Sequence, residues 1–454
     1  MADLYTESIE RIAIDSANAA IGMYVAKLDR PWLETPFVFQ GFEIRTREEV
    51  EMLQAYCNTI YVDVRRGQLT AADVKQLLAT RSARTVARTG ERALPQRQDG
   101  RLSRWLSRLA WRTGLPARFR RESRLEADGY PITTTVRAEA PVAFSVCKSV
   151  FLAYRRLADE VRAGGTVPGG SLRKTLRPLI DSILRNPDAM AWTIFSRRHG
   201  GQAVGRAVAT SVWCVMFGRH LGFDRLGLED LALGGLLLDI GNTKLPPELV
   251  NRRGELDRDQ RALAARHVEF GLDILERSRG VSANVLDMVA HHHERADGSG
   301  YPGGIGGTKI PFYGRMAAIA DCYDAMTTEN AYSPAYPAYE VARALNEMRG
   351  RQFDEEVVEQ FLRTVGVFPT ASVVELNNGM LGLVIEQNRS NALRPKVMLV
   401  LDAEHEPLPK PKIVEMRDLP PDATHANAMW IATGHEHGAF GIDPANYFRP
   451  GGRD

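Results

Sequence analysis

From about residue 138 to residue 365 the chain carries helical patterning almost without a break. Apolar residues recur at three- and four-residue spacing, the mark of helices that bury one stripe. "PVAFSVCKSVFLAYRRLADEVRAGG" stops at Gly164-Gly165, a pair suited to a helix C-terminus. Further helices are predicted over 257–277, 281–293, 313–327 and 337–348. A run of this length can bury its apolar stripes only helix against helix. The pattern therefore predicts an all-α domain over 138–366.

Different signals flank it. "GMYVAKLDRPWLETPFVFQGFEI" has short β-rich runs split by turn residues, "REEVEMLQAYC" has helical spacing, and "TIYVDV" reads as a strand. A small α/β or mostly β module is expected over 1–65, its structured part starting near residue 17. After 367, "SVVELNNGMLGLVIEQ" places Asn378-Gly379 between two β-rich arms, a hairpin signal. "RPKVMLVLD" supplies a further strand, so 367–454 reads as a C-terminal β extension. The chain is thus expected to be multidomain.

Residues 66–137 read as a linker. Between 81 and 130 there are thirteen arginines against five acids. Within 101–121, Arg101, Arg104, Arg108 and Arg112 share one helical face, and Leu102, Trp105, Leu106 and Leu109 spread over the other. Such a segment is either a solvated linker helix or one that meets an anionic membrane surface or a macromolecule. Over the whole chain, 58 basic and 56 acidic residues nearly cancel, so bulk charge selects no partner, and a nucleic-acid role is not expected. Four scattered cysteines form no CxxC pair, which argues against a disulfide framework and fits a reducing cytoplasm.

The residues with chemical potential lie inside the helical region. "LALGGLLLDIGNTKLP" runs an apolar helix into one acid, Asp239, which needs a partner if it is buried. "AHHHERADGSGYPGG" puts His291, His292 and His293 at a helix end before a glycine-rich loop. Adjacent histidines can reach one centre only where a helix stops. The triple histidine alone fits either metal ligands or a polar helix cap. "ARHVEFGLDIL" adds His267, and "IADCYDAM" sets Asp321 among aliphatic neighbours that offer it no hydrogen bond. Asp239, His267, His292, His293 and Asp321 are donors for iron, manganese, magnesium-like ions or zinc.

Several of these stretches together resemble the HD-GYP family. "HHERADGSGYPGG" matches its HHExxDGxGYP signature, and "KIPFYGRMAAIADCYDAMTT" the segment that follows. "LLLDIGNTKLP" stands where the family has its HD motif, and "RHVEFGLDIL" where its next ligand histidine lies. The front module resembles the small uncharacterised domain that often precedes HD-GYP domains. The resemblance implies a helical domain with a two- or three-metal site that hydrolyses cyclic di-GMP. It also implies a loop surface, Gly300, Tyr301 and Pro302 with Arg315 nearby, that meets cyclic di-GMP or diguanylate cyclase (GGDEF-type) domains.

The chain departs from that pattern at critical places. The family's HD pair is Leu238-Asp239, so one ligand histidine is missing. Asn242 replaces a lysine, Arg206 stands at another ligand histidine, and Gln202 at an occasional glutamate ligand. Asn330 and Ser333 replace two basic residues expected at ligand phosphates. Leucine cannot ligate, and a guanidinium repels a cation strongly in a poorly solvated site. Arg206 instead suits Asp239 or Asp321 as a partner. A centre with one divalent ion or none is expected, and a non-catalytic signalling protein acting by protein contacts or by binding without cleavage. Two alternatives stay open: a weak metal-dependent phosphodiesterase, and an effector working through the Arg-rich helix.

Overall fold

A computed structural model describes residues 11–29, 42–44, 47–64, 73–74, 130–196, 203–250, 252, 254–328, 335–388, 393–419 and 429–447. The Arg-rich helix expected over 101–121, and Gln202, Asn330 and Ser333, lie outside the described residues. The chain divides into two units, residues 1–101 with 418–429, and residues 102–417 with 430–454.

In the first unit, β1 (Arg11–Asp15), β2 (Tyr24–Leu28), β3 (Phe42–Glu43) and β4 (Thr59–Asp63) form an antiparallel sheet in the order β1-β4-β2-β3, with α1 (Arg47–Tyr56). Ile14, Val25, Leu28, Ile60 and Val62 join Leu53 of α1 in one core. Strand β1 lies ahead of the expected start near residue 17. "RIAID" is a short alternating run, and its pairing with β4 (Ile14 opposite Ile60) makes it a strand.

The second unit begins with α2 (Val136–Arg162), α3 (Gly169–Arg185), α4 (Pro187–Phe195), α5 (Ala203–His220) and α6 (Arg225–Leu237). Then come α7 (Pro247–Val250), α8 (Arg258–Ala265), α9 (His267–Glu276), α10 (Ala283–His291), α11 (Phe312–Thr327), α12 (Ala338–Met348) and α13 (Glu355–Val365). Short polar side chains set many of the starts, as N-caps do. Thr135 accepts from the amide of Ala138, Asp224 from Gly227, and Ser282 from Val285. The helix expected over 257–277 is two, α8 and α9, which meet at Arg266. Helix α5 is buried from Ala207 to Phe217 and packs on α6 and α11. All-round burial explains why its sequence shows little amphipathic contrast.

The C-terminal strands β5 (Val373–Leu376), β6 (Leu381–Glu386), β7 (Lys396–Leu401), β8 (Pro407–Glu415) and β9 (Ile431–His435) form one antiparallel sheet, ordered β8-β7-β6-β5-β9. The Asn378-Gly379 signal is the β5–β6 turn, with Gly379 at φ 81°. Edge strand β8 carries Pro407, Pro409 and Pro411 at alternate positions, so three missing N–H groups share one side. Among the described residues, no helix is long and apolar enough to cross a membrane.

One buried acid ties this sheet to the helices. Asp188, in the first turn of α4 and 1% exposed, accepts from the Thr370 hydroxyl at 3.2 Å and from the Gln387 amide at 3.3 Å. Asp188→Ala leaves both donors without this acceptor, at an expected cost of about 1–3 kcal/mol. Urea unfolding measures it: the midpoint should fall with the slope unchanged.

Candidate metal centre

The apolar helix α6 ends at Leu237, and Asp239 follows at the start of the tight turn Ile240–Lys244. Gly241 explains the turn's sequence. A Cβ there would lie 1.9 Å from the His267 carbonyl oxygen and 2.5 Å from the Gly271 amide nitrogen. Only glycine lets the turn press against α9, and that approach sets Asp239 beside His267.

His267 opens α9. Its Nδ1 lies 2.8 Å from the Ala264 carbonyl oxygen, which fixes the proton on Nδ1 and leaves Nε2 as a lone pair. His292 caps the C-terminus of α10, and its Nδ1 meets the Val289 carbonyl oxygen at 2.9 Å in the same way. The two Nε2 atoms stand 3.3 Å apart, and Asp239 Oδ1 is 3.3 Å from Nε2 of His267. Three electron-pair donors thus converge, and a proton or a metal ion is needed among them. His293, just past the helix end, completes the group: one donor atom from each of Asp239, His267, His292 and His293 lies within 4.8 Å of the others. His291 turns back to the Asp287 carbonyl at 2.9 Å and stays outside.

The electrostatics favour neutral forms of His292 and His293. Burial lowers the pKa of His292, and the neighbouring His267 lowers it further. Burial also holds His293 well below its ordinary value, with repulsion from His292, His267, Arg295 and Arg206 added. For Asp239, burial opposes ionisation, but His267, Arg206 and His292 outweigh it, and an Asn242 side-chain hydrogen bond adds to them, so its pKa falls. Neutral imidazoles and a carboxylate are what a divalent ion binds.

Asp321 is engaged elsewhere. Arg206 Nη2 donates to Asp321 Oδ1 at 2.9 Å, and Nε lies 3.5 Å from Asp324 Oδ2. Asp324 is fully buried, and its other oxygen accepts from the Trp213 indole at 3.3 Å. Burial works against the guanidinium, yet Asp321, Asp239 and Asp324 together raise its pKa. Of the two acids the sequence offered to Arg206, contact falls on Asp321, while Asp239 is held by His267 and Asn242. Leu238 is 2% exposed and packs in the core. The donors fit one ion at the Asp239–histidine group. They do not fit a second at Asp321, where a fixed cation already sits.

The loop after His293 is built by backbone approach. A Cβ on Gly300 would lie 2.4–2.5 Å from backbone atoms of His293, Glu294 and Arg295. Tyr301 stacks on the His293 ring at 4.6 Å between centroids, and Pro302, Gly303 and Gly304 face solvent. Glu294, 2% exposed, accepts from the amides of Gly303 at 2.7 Å and Ile305 at 3.1 Å. Sequence reasoning missed Glu294; its signal was a lone acid heading a glycine-rich loop whose amides need an acceptor. It also missed Asp324, one helical turn beyond Asp321 on the same apolar helix. Arg315 donates to Asp354 at 2.8 Å, and Asp354 caps α13. Its position favours holding α13 over contacting a ligand.

Two outcomes follow from this geometry. Arg206→Met would leave Asp321 and Asp324 facing each other without their cation, at an expected cost of about 3–5 kcal/mol in urea unfolding. In the metal-free protein, His292 and His293 have folded pKa values below the ordinary 6.5. Their neutral forms are compatible with the fold above that pH. Below it the unfolded chain takes up protons that the folded chain refuses, so stability should fall as pH drops under about 6.5. His293→Gln should flatten that slope in unfolding measured at a series of pH values.

Comparison with known proteins accords with this architecture. Residues 194–357 match the HD domain, residues 12–169 a domain of unknown function (DUF3391), and residues 373–420 a KOW domain associated with HD domain. A cyclic di-GMP phosphodiesterase of Pseudomonas aeruginosa is 26% identical over 393 residues, 86% of this chain and 85% of the relative. A 3'3'-cGAMP-specific phosphodiesterase of Vibrio cholerae is 30% identical over 192 residues, 42% of this chain and 35% of its own. The cyclic di-GMP phosphodiesterase response regulator RpfG of Xanthomonas campestris is 32% identical over 161 residues, 34% of this chain and 43% of its own. The chain thus carries an HD domain with the KOW domain associated with it, and with the HHExxDGxGYP signature in place its helical region is similar to that of cyclic di-GMP phosphodiesterases of the HD-GYP type.

Proposed function

We propose that this protein is a non-hydrolysing member of its family that binds cyclic di-GMP and passes the signal on through the exposed Tyr301-Pro302 loop. One observation carries the reading: the Arg206 guanidinium lies on Asp321 at 2.9 Å. Hydrolysis by a metal pair needs one ion to activate water and another to clamp the phosphate oxygens. Here the second position holds a permanent protein cation. Leu238 removes a further ligand.

Asp239, His267, His292 and His293 would hold a single iron, manganese or magnesium-like ion, which when bound supplies Lewis acidity toward a phosphate oxygen. The chain's own groups do the rest. Asn242 orients Asp239, the two backbone carbonyls set the imidazole tautomers, and Tyr301 covers His293. Glu294 holds the loop in shape, and Pro302 to Gly304 offer a surface for a protein such as a GGDEF-type cyclase.

Metal analysis of the purified full chain should give about one ion per chain, lost in His292→Ala. Calorimetry should detect cyclic di-GMP binding. Incubation with manganese or iron(II) should leave the nucleotide uncleaved. Turnover that His292→Ala abolishes would establish instead a phosphodiesterase with a reduced metal site.

A further inference from the structure

Helix α2 and the corner that joins it to α3 lie outside the 194–357 match to the HD domain, yet they fold in the same unit as the metal centre. Their hydrogen bonds show where they hold it. At the end of α2, the Val161 carbonyl accepts from Lys244 Nζ at 2.9 Å. Lys244 closes the turn that Asp239 opens, and this turn packs on both α2 and α9.

The corner then grips the loop between α9 and α10. The Ser278 hydroxyl accepts from the Val167 amide at 2.9 Å and donates to the Ile274 carbonyl of α9 at 2.7 Å. The Gly169 amide donates to the Arg279 carbonyl at 3.1 Å. A Cβ on Gly169 would lie 2.7 Å from the Gly280 carbonyl oxygen, so a side chain there would push the two backbones apart. Arg173 of α3 donates to Asp230 of α6 at 2.5 Å and to the Ser282 hydroxyl that caps α10 at 3.4 Å. His267 opens α9 and His292 follows the end of α10. A helix hairpin held at its tip therefore carries both histidines at its open end. The turn with Asp239 and the tip of the hairpin are fastened to the same short stretch, Val161–Arg173.

We infer that this stretch, outside the HD domain, is a clamp that sets the metal affinity of the Asp239–histidine group, with Lys244 and Ser278 as its positioning residues. Neither side chain belongs to the donor group. Lys244 acts through the turn that presents Asp239, and Ser278 through the hairpin that presents His267 and His292. Donors that must be ordered as the ion arrives bind it more weakly, because the ordering is subtracted from the binding free energy. The inference rests on the one-ion reading of the centre above.

The test is calorimetric titration of manganese into the metal-free full chain, for wild type, Lys244→Met, Lys244→Arg and Ser278→Ala, with urea unfolding of each metal-free chain. Lys244→Met and Ser278→Ala should each bind manganese about three- to tenfold more weakly, a smaller loss than removal of a group in direct contact with a ligand gives. Lys244→Arg keeps a donor for the Val161 carbonyl and should bind close to wild type. Ser278→Ala removes a single oxygen and decides the matter by itself if Lys244→Met does not fold. Lower urea midpoints with unchanged manganese affinity would show a merely structural role and overturn the clamp, while the one-ion centre would stand. Equal affinity and equal stability in all four chains would overturn it in the same way. No manganese binding by the wild-type chain would refute the one-ion centre and the clamp together.

Discussion

A single guanidinium determines what this centre can be. Arg206 reaches from α5 to Asp321 and Asp324, which project one turn apart from α11. Each element alone would be unfavourable at such a depth: two carboxylates that repel, or a cation with no counter-charge. Together they form a neutralised joint between two helices at the heart of the domain. The joint engages Asp321 in an ion pair, so this acid serves the packing of α5 on α11. In the histidine group the Nε2 atoms of His267 and His292 and the Asp239 carboxylate face one another, an arrangement that a proton or a metal ion would satisfy.

Much of this was legible beforehand, for identifiable reasons. Long stretches of helical periodicity declare helices whatever their partners, and Asn378-Gly379 declares a turn because few other pairs adopt it. The metal-type residues were legible because polar groups among aliphatic ones require partners. Asp239, His267, His292 and His293 lie close together, while Asp321, expected with them, pairs with Arg206 instead. The direction of Arg206 was not legible. Whether it faces Asp239 or Asp321 depends on how α5 and α11 pack, a long-range fact that no local pattern carries. Asp324 and Glu294 were missed for the same reason, since an acid's partner is visible only once the chain is folded.

Close backbone approach is the other device that shapes the site. Gly241 brings the turn onto α9, and Gly300 folds the loop back over the end of α10. Neither glycine carries chemistry, yet the first delivers Asp239 to His267 and the second delivers Tyr301 to His293. Helix α2 packs on the Ile240–Lys244 turn from outside the matched HD domain. Pieces from separate parts of the sequence thus share one centre, which explains why the preceding segment folds with the domain as one unit.

The prolines of β8 have a consequence for how the C-terminal sheet meets other molecules. A sheet's end strand offers a row of amide donors on which a foreign strand can template. Pro407, Pro409 and Pro411 each lack an amide hydrogen, so this end strand has fewer donors to offer. That border of the sheet is poor in backbone donors, while its carbonyls can still accept. Strand-on-strand pairing is thereby disfavoured along that border, where the exposed side chains of Lys410, Lys412 and Ile413 are what it presents instead.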